Sequence, residues 1–187
     1  MKALGRVAAF DDGFFTRKQK KVLLIGVVAR FDSKVEGILS TEITKDGLDS
    51  TAEIISVVKK SKFNGIINLI LLQGINFAGF NIVDLEKLNR ELAIPSIAVF
   101  RRMPRMNLIK RALKNFADCR KRIRLIEKAG EIHTSENFYF QCKGIPPKEA
   151  EKLLKKLSIH SNWPEPLRLA HLIASGVTIG QSTKPRK

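Results

Sequence analysis

Three apolar segments near the start of the chain predict three strands. They cover residues 7–10, 22–29 and 35–44, and the third passes into an alternating apolar and polar pattern. Short polar links separate the segments, and the first link contains a basic turn. Strands joined by short links pair in an antiparallel way, so this part of the chain predicts a three-strand meander.

The hydrophobic period changes after residue 50, where the pattern predicts the first helix. Ser50 and Glu53 have the spacing of a capping box, and the lysines near residue 60 suit a helix C-terminus. Residues 66–72 are almost continuously apolar, which is typical of a strand that is covered on both faces. This segment therefore predicts a buried fourth strand.

The following segments predict a second helix, a fifth strand and a mainly helical remainder. Asn81 is a favourable N-cap for a helix that extends to Leu92, and residues 96–100 predict the fifth strand. Asp84 falls in the first turn of that helix, where a negative charge is stabilising. Further predicted elements are a short strand over residues 138–142 and helices over residues 107–128, 146–157 and 167–175.

The order of these elements predicts an α/β fold with a mixed sheet. Three strands form the antiparallel meander, and two more return by crossover helices, so they run parallel to the first strand. A mixed five-stranded sheet of this kind, flanked by helices, is typical of ribonuclease H-like domains. We expect one domain over residues 1–183 and a basic tail over residues 184–187. The carboxyl ends of strands 1, 3, 4 and 5 then share one edge, which is where open α/β sheets bind ligands.

Polar residues follow each of the strands that end at this edge. They are Asp11 and Asp12 after strand 1, Asp46 and Asp49 after strand 3, Gln73 after strand 4, and Arg101 and Arg102 after strand 5. Converging carboxylates suit a hard, oxygen-binding cation such as Mg²⁺. Two such ions about 4 Å apart can activate water and stabilise the leaving oxygen of a phosphodiester. Ordinary Asp-Gly turns and a helix cap explain the same carboxylates without chemistry, so both interpretations stay open.

The charge balance points to a polyanionic partner. The 187 residues include 34 lysines and arginines against 18 aspartates and glutamates, which gives a formal net charge of +16. Nucleic acid, either DNA or RNA, is the partner that such a charge favours. A lysine-rich surface for heat tolerance is the alternative, but that adaptation usually adds charges of both signs.

Basic side chains are concentrated after the fifth predicted strand. The candidates for nucleic-acid binding are Arg101, Arg102, Arg105, Lys110, Arg111, Arg120, Lys121, Arg122 and Arg124. Beside the acidic edge, these residues would form a groove that follows the phosphates of a nucleic acid. A solvated helix face is the plain alternative.

Composition excludes several other classes of protein. Apolar residues make up 44% and charged residues 28% of the chain, which is typical of a folded globular protein. No apolar run approaches the roughly 20 residues of a membrane span, and no secretory signal is visible at the N-terminus. Cys119 and Cys142 cannot form a disulfide framework. We therefore expect a reduced, cytoplasmic compartment and no membrane partner.

Three segments resemble the endonuclease V family. Residues 10–13 (Phe-Asp-Asp-Gly) resemble its first-strand aspartate motif, and residues 37–40 together with Asp46 resemble the segment that ends in its catalytic glutamate. Residues 164–171 (Pro-Glu-Pro-Leu-Arg-Leu-Ala-His) resemble its C-terminal helix and are the most specific match. The chain is more similar still to a mostly archaeal family related to endonuclease V, through residues 44–51, 79–84 and 164–175.

This resemblance implies a ribonuclease H-like, endonuclease V-like fold and divalent-metal-dependent cleavage of phosphodiesters, with Mg²⁺ or Mn²⁺ as the cofactor. By the same resemblance, the catalytic and metal-binding positions are Asp11, Asp46, Gln73 and His171. Arg101 stands near a conserved lysine of endonuclease V, which implies a phosphate contact or a charge-stabilising role.

Three departures from the endonuclease V pattern change the expected chemistry. Gln73 stands where the nuclease has an aspartate, Asp46 replaces a glutamate, and residues 31–36 lack the Pro-Tyr-Ile-Pro wedge that probes a deaminated base. An amide keeps an oxygen ligand but removes one negative charge, so we expect weak Mg²⁺ binding and slow or absent cleavage. His171 is a nitrogen ligand, which suits Mn²⁺ better than Mg²⁺, so we expect a preference for Mn²⁺.

The leading interpretation is an endonuclease V-like nucleic-acid-binding protein, with metal-dependent phosphodiester cleavage as its candidate activity. Two alternatives stay open. One is a non-catalytic nucleic-acid-binding module that has lost the metal ligand at position 73. The other is a nucleotide- or small-molecule-binding α/β protein that uses the helix start at Asn81.

Overall fold

The computed structural model describes residues 5–183, in which strands and helices alternate around a central sheet. The strands are β1 (Arg6–Asp12), β2 (Lys21–Arg30), β3 (Val35–Thr44), β4 (Leu69–Gln73), β5 (Asn76–Phe77), β6 (Asn81–Ile82), β7 (Ser96–Phe100), β8 (His133–Thr134) and β9 (Tyr139–Lys143). The helices are α1 (Ser50–Lys60), α2 (Leu85–Leu92), α3 (Met106–Leu113), α4 (Cys119–Lys128), α5 (Pro147–Leu157) and α6 (Glu165–Ile179). The predicted basic tail, residues 184–187, lies outside the described residues.

The main sheet has the strand order β3-β2-β1-β4-β7-β9-β8. β2 is antiparallel to both β1 and β3, whereas β4 runs parallel to β1 and to β7. The predicted meander and the two parallel strands are therefore confirmed. The sheet is wider than the five strands expected, because β9 pairs antiparallel with β7 and the very short β8 pairs with β9. β5 and β6 form a separate hairpin.

Both faces of the sheet are covered by helices, and β4 illustrates the consequence. Ile70 and Leu72 pack into the core that includes side chains of α1, α2 and α4, whereas Leu69 and Leu71 pack into the core that includes α5 and α6. A strand between two apolar layers is apolar at every position, which explains the apolar run from Leu69 to Leu72. The strand begins three residues later than the predicted residue 66, because residues 66–68 belong to the preceding turn and loop, where Ile66 is 40% exposed. Burial of each apolar side chain of β4 stabilises the fold by about 1.5–3 kcal/mol. The strand therefore anchors the centre of the sheet.

The predicted edge is formed by strand ends that lie side by side. Phe10 of β1 pairs with Leu72 of β4, and Gln73 of β4 pairs with Val99 of β7. Because these three strands are parallel and in register, their carboxyl ends reach the same edge. Helix α6 packs against β1, β2 and β4, and so brings its own side chains near the ends of these strands.

Helix α1 begins at the predicted residue, but the expected capping box is wrong. The N-cap residue is Asp49, whose carboxylate accepts hydrogen bonds from the amide and hydroxyl of Thr44 instead of capping the helix. The Ser50 amide donates to Asn81 Oδ1 at 3.1 Å, and the Glu53 carboxylate accepts from a threonine hydroxyl on β3. The free Ser50 amide in the first turn of α1 is therefore satisfied by Asn81, a residue distant in the sequence.

Asn81 is not the cap of the second helix, contrary to the prediction. It is fully buried in β6, where its amide group donates to Thr44 O at 2.8 Å and to Asp49 Oδ1 at 2.6 Å. Helix α2 begins four residues later, and the Asp84 carboxylate caps it by accepting a backbone amide at 2.9 Å. Asn81 is the first residue of β6, and Ile82, Val83 and Asp84 separate it from the helix. Its amide group therefore joins the β5–β6 hairpin to the loop between β3 and α1 instead of capping α2.

The single helix predicted over residues 107–128 is two helices in the structure. α3 ends at Leu113, and α4 begins at Cys119. The break places the ring of Phe116 against Phe80 with 5.6 Å between the centroids. Tertiary contacts of this segment therefore override its continuous helical pattern.

The last helix, α6, starts earlier and ends later than the predicted 167–175. Pro164 and Pro166 lie at its start, where a missing amide hydrogen is tolerated. Gly180 ends the helix with a φ of 77°, a conformation that favours glycine. Across residues 5–183, no helix combines the length and apolar character that crossing a membrane requires.

Candidate functional site

A cavity of about 870 Å³ opens at the edge where β1, β4 and β7 end. Its walls include Asp11 from β1, Gln73 from β4 and His171 from α6. Arg101 and Arg102, directly after β7, complete the charged part of the wall. Aromatic lining is supplied by Phe14, Phe15, Phe100 and Trp163. The cavity therefore combines charged groups with surfaces suited to a flat ring.

The central polar contact of the cavity joins Asp11 and His171. Asp11 is 4% exposed, and its Oδ2 lies 2.8 Å from His171 Nδ1. Its Oδ1 accepts the amide of Asp12 at 2.9 Å. Burial raises the pKa of Asp11, and the hydrogen bond to Asp11 raises the pKa of His171. The pair therefore retains its proton to a higher pH than an isolated histidine would.

We expect Asp11→Asn to lower the pKa of His171. The substitution removes the carboxylate that accepts the imidazole hydrogen bond, while the burial that disfavours the charged ring remains. In the native protein the raised pKa of His171 contributes stability that is fully present below pH about 6.5 and is lost as the pH rises through that raised pKa. The raised pKa of Asp11 acts in the opposite sense, as a destabilising contribution, because burial of its charged form is unfavourable. The measurement is a pH titration of imidazole NMR signals, assigned with His171→Gln. Asp32→Asn, at an exposed loop, is the control, and an unchanged His171 pKa in Asp11→Asn would contradict the prediction.

Gln73 and Arg101 occupy neighbouring parts of the cavity wall. The Gln73 Oε1 atom is buried and has no hydrogen-bond partner among residues 5–183. The Arg101 guanidinium lies over the Trp163 ring, 4.1 Å from its centroid. Sequence reasoning did not single out Trp163 as a site residue, and no local pattern could have done so, because this contact joins two distant segments.

Asp12 and Asp46 hold the β5–β6 hairpin in place. Asp12 Oδ2 accepts the amide of Ala78, and Asp46 Oδ1 accepts the amide of Phe80 at 2.9 Å. Asp46 itself has a positive φ of 54°, and its amide donates to Ala78 O at 2.8 Å. A Cβ atom on Gly79 would lie 2.3 Å from Asp46 Oδ1, so only glycine fits there. These carboxylates thus have a structural role at the edge.

The structure brings together three of the four predicted metal-site residues. Asp11, Gln73 and His171 line one cavity, whereas Asp46 is not among the lining residues and bonds the neighbouring hairpin instead. Within the described part of the chain, no group of three or more His, Cys, Asp and Glu side chains is placed to hold a metal ion. Metal binding and catalysis by these four positions stay predictions.

Arg122 must be removed from the predicted nucleic-acid-binding set. Its side chain is buried, at 4% exposure, and its guanidinium donates to the carbonyl oxygens of Asp46, Gly47 and Phe80 at 2.7–3.1 Å. It also pairs with the Asp118 carboxylate at 2.6 Å. All of its donors point into the protein, so a phosphate cannot reach it. The i,i+4 spacing of Asp118 and Arg122 was the sequence signal that these two side chains pair with each other.

The other predicted basic residues lie at or near the surface. Lys110 pairs with Glu127 at 2.8 Å, which partly occupies its ammonium group. The exposed members of the set are Arg101, Arg102, Arg105, Arg111, Arg120, Lys121 and Arg124. Their role in nucleic-acid binding stays a prediction.

Comparison with known proteins gives close relatives over almost the whole chain. The profile of a family described as Endonuclease dU matches residues 4–178. A UPF0215 protein from Methanosarcina mazei is 41% identical over 183 residues, which cover 95% of this chain and 92% of the relative. The crystal structure of a protein of unknown function from Archaeoglobus fulgidus is 43% identical with a TM-score of 0.89, over 94% of this chain and 99% of that chain.

A more distant likeness identifies the fold. Endonuclease V from Ciona intestinalis, solved with a 24mer DNA containing an inosine followed by a ribo-adenosine, has a TM-score of 0.57 and 14% identity over 91% of this chain and 84% of that chain. At this identity the likeness concerns the fold alone, and it confirms the endonuclease V-like, ribonuclease H-like architecture predicted from the sequence. The family match and the archaeal relatives confirm the predicted relationship at the level of the family: this chain belongs to the Endonuclease dU family, whose fold is related to that of endonuclease V.

Proposed function

We propose that this protein binds nucleic acid at the cavity edge and cleaves a phosphodiester bond there. The observation that carries the proposal is the buried Asp11–His171 pair, which lies in one cavity with Arg101 and Arg102. An acidic centre beside cationic side chains suits a reaction at a phosphate. The arginines bind the anionic phosphate oxygens, and the Asp11–His171 pair can accept or donate the proton that the reaction transfers. The name of the family and the DNA bound to the Ciona endonuclease V support the same assignment.

The distribution of charge supports binding of a long polyanion. The net charge of +16 includes the exposed basic residues after β7 and on α3 and α4. Arg101 and Arg102 belong both to this basic surface and to the cavity wall. A nucleic acid bound at these two arginines therefore lies beside the acidic centre.

A divalent cation fits this proposal only in part. Gln73 Oε1 has no partner within residues 5–183, Asp11 supplies one carboxylate, and His171 offers Nε2 because its Nδ1 faces Asp11. This mixed oxygen and nitrogen set, with a single carboxylate, suits Mn²⁺ better than Mg²⁺. Such an ion, when bound, supplies charge stabilisation at the phosphate and a more acidic water.

The side chains of the chain itself have distinct roles in the proposed reaction. Arg101 and Arg102 bind non-bridging phosphate oxygens and so place the scissile bond at the cavity mouth. Asp11 keeps the His171 ring oriented through Nδ1, and the pair holds a proton beside the reacting phosphate. Asp12 and Asp46 keep the β5–β6 hairpin against the same edge.

A non-catalytic nucleic-acid-binding module is the second candidate function. The observation that favours it is the use of Asp12 and Asp46 for backbone hydrogen bonds, together with a neutral Gln73 at the third position. The small-molecule alternative loses its basis, because Asn81 is buried, bonded to Thr44 and Asp49, and not at a helix start.

We expect the protein to bind duplex DNA with a log–log salt slope of about −4, equivalent to about five phosphate contacts. Neutralising Arg120, Lys121 and Arg124 together should reduce the magnitude of the slope by about one unit for each lost contact. The measurement is fluorescence anisotropy of labelled oligonucleotides between low and physiological salt. Cleavage of single-stranded, duplex, deoxyuridine-containing and inosine-containing oligonucleotides is assayed in the same series with Mg²⁺ and with Mn²⁺.

The control variant carries glutamine at Lys60, Lys148 and Lys152, which are exposed lysines of α1 and α5. It has the same loss of charge outside the proposed surface, so its slope should stay close to the native value. A slope near zero for the native protein would remove nucleic acid as the partner. Binding without any cleavage would favour the non-catalytic module.

A further inference from the structure

Trp163 lies beneath the Arg101 guanidinium at the cavity wall. The guanidinium carbon is 4.1 Å from the ring centroid, which is the geometry of a close cation–π contact. The two residues come from different parts of the fold, because Arg101 directly follows β7 and Trp163 directly precedes the Pro-Glu-Pro start of α6. The contact therefore joins the end of a central strand to the helix that carries His171.

Packing alone does not require a tryptophan at this position. Trp163 is 2% exposed within an apolar cluster, and its Nε1 has no hydrogen-bond partner among residues 5–183. A buried indole N–H without an acceptor is unfavourable, so an apolar side chain would suit the cluster better. What tryptophan offers, and leucine lacks, is a broad π-face for the guanidinium.

Among residues 5–183, the Trp163 ring is the group that fixes the plane of the Arg101 guanidinium. Arg101 is exposed to solvent, and its guanidinium forms no hydrogen bond or ion pair with the other residues in 5–183. Stacking leaves the edge of the guanidinium plane free, and that edge carries the donors that match two phosphate oxygens. The nearby Asp11 charge attracts the same group toward the acidic centre.

We infer that Trp163 is a positioning residue that holds the Arg101 guanidinium flat against its ring, so that the arginine binds two oxygens of one nucleic-acid phosphate beside Asp11. This inference rests on the proposed function and specifies how the site holds its phosphate. Lysine cannot replace arginine here, because a point-like ammonium group neither stacks flat nor binds two oxygens in a fixed plane. Without the Trp163 ring, the arginine is no longer held flat, and it should bind the phosphate little better than lysine does.

The test is a double-mutant cycle on DNA binding, with Arg101→Lys and Trp163→Leu made alone and together. In the native background, Arg101→Lys should weaken binding of labelled duplex DNA about fivefold. In the Trp163→Leu background, the same substitution should weaken binding by less than about twofold, because the ring that arginine stacks on is already absent. Trp163→Phe keeps a π-face and should stay closer to the native protein, and thermal unfolding identifies any variant that fails to fold. Equal effects of Arg101→Lys in both backgrounds would overturn the inference.

The stacking itself is tested without nucleic acid, because Trp163 is the single tryptophan of the chain. Arg101→Ala should change the intrinsic fluorescence of the free protein, whereas Arg90→Ala, at an exposed site on α2, should not. Unchanged emission in Arg101→Ala would show that the stack is absent in solution and would overturn the inference. If the native protein has the stacking signal but binds no DNA, the proposed function fails, and with it the phosphate-binding role of Arg101.

Discussion

Gln73→Asp is expected to strengthen Mn²⁺ binding by about 10- to 100-fold and to raise any phosphodiesterase activity. The native Gln73 Oε1 is buried and unpartnered within the described residues, and it lines the same cavity as Asp11 and His171. The substitution is close in shape and one methylene shorter, and it adds a second negative charge beside Asp11. Because affinity for a hard cation depends on the number of charged oxygen ligands, one added carboxylate has a large effect. Titration calorimetry with Mn²⁺ and Mg²⁺ measures the affinity, and oligonucleotide cleavage measures the activity.

Asn76→Asp is the matched control for this experiment. Asn76 also lines the cavity but is exposed, and its side-chain amide donates to Gly79 O at 2.8 Å. Asn76→Asp adds the same negative charge as Gln73→Asp, but at the cavity rim. If both variants gained Mn²⁺ affinity equally, the gain would be a general electrostatic effect and not ligation by position 73. In the Gln73→Asp background, Asp11→Asn should abolish the gain in affinity and in activity. Brisk Mg²⁺-dependent cleavage by the native protein would contradict our interpretation of position 73.

Arg122→Ala is expected to lower the free energy of unfolding by about 2–4 kcal/mol. The main cause is the loss of a donor for the carbonyl oxygens of Asp46, Gly47 and Phe80, since an unsatisfied buried polar group costs about 1–3 kcal/mol. The ion pair with Asp118 adds less, because the side chain of that carboxylate is 39% exposed. Loss of the contact with the Phe116 ring acts in the same direction.

Urea denaturation followed by circular dichroism measures this effect. Arg124→Ala, an exposed arginine of the same helix, is the control and should change the free energy of unfolding by less than about 0.5 kcal/mol. A loss below about 1 kcal/mol in Arg122→Ala would mean that water replaces the guanidinium at the three carbonyls. The result matters for function as well, because Arg122 joins the basic helix α4 to the loop that carries Asp46.

The central sheet and the general position of the site followed from local patterns. Strand and helix periods depend on residues a few positions apart, so the apolar run over residues 22–29 predicted a buried strand correctly, and the run over residues 66–72 did so from Leu69 onward. The parallel return of the later strands then placed the last residues of β1 and β4, and the residues directly after β7, at one edge. Asp11, Gln73, Arg101 and His171 consequently meet at one cavity, as motif and strand order together implied.

Only the tertiary structure decided which partner each polar side chain has. His171 meets Asp11 across 160 positions of sequence, and Arg122 meets the Asp46 carbonyl across 76. Other long-range contacts join Asn81 to Thr44 and Asp49, pack Phe116 between α3 and α4 against Phe80, and place Trp163 under Arg101. A buried hydrogen-bonding group must find a partner wherever the fold supplies one, and local periodicity carries no information about distant partners. The sequence by itself therefore determined the strands of the central sheet, the basic charge and the position of the site, whereas tertiary packing decided whether a given carboxylate or arginine faces the cavity or supports a loop.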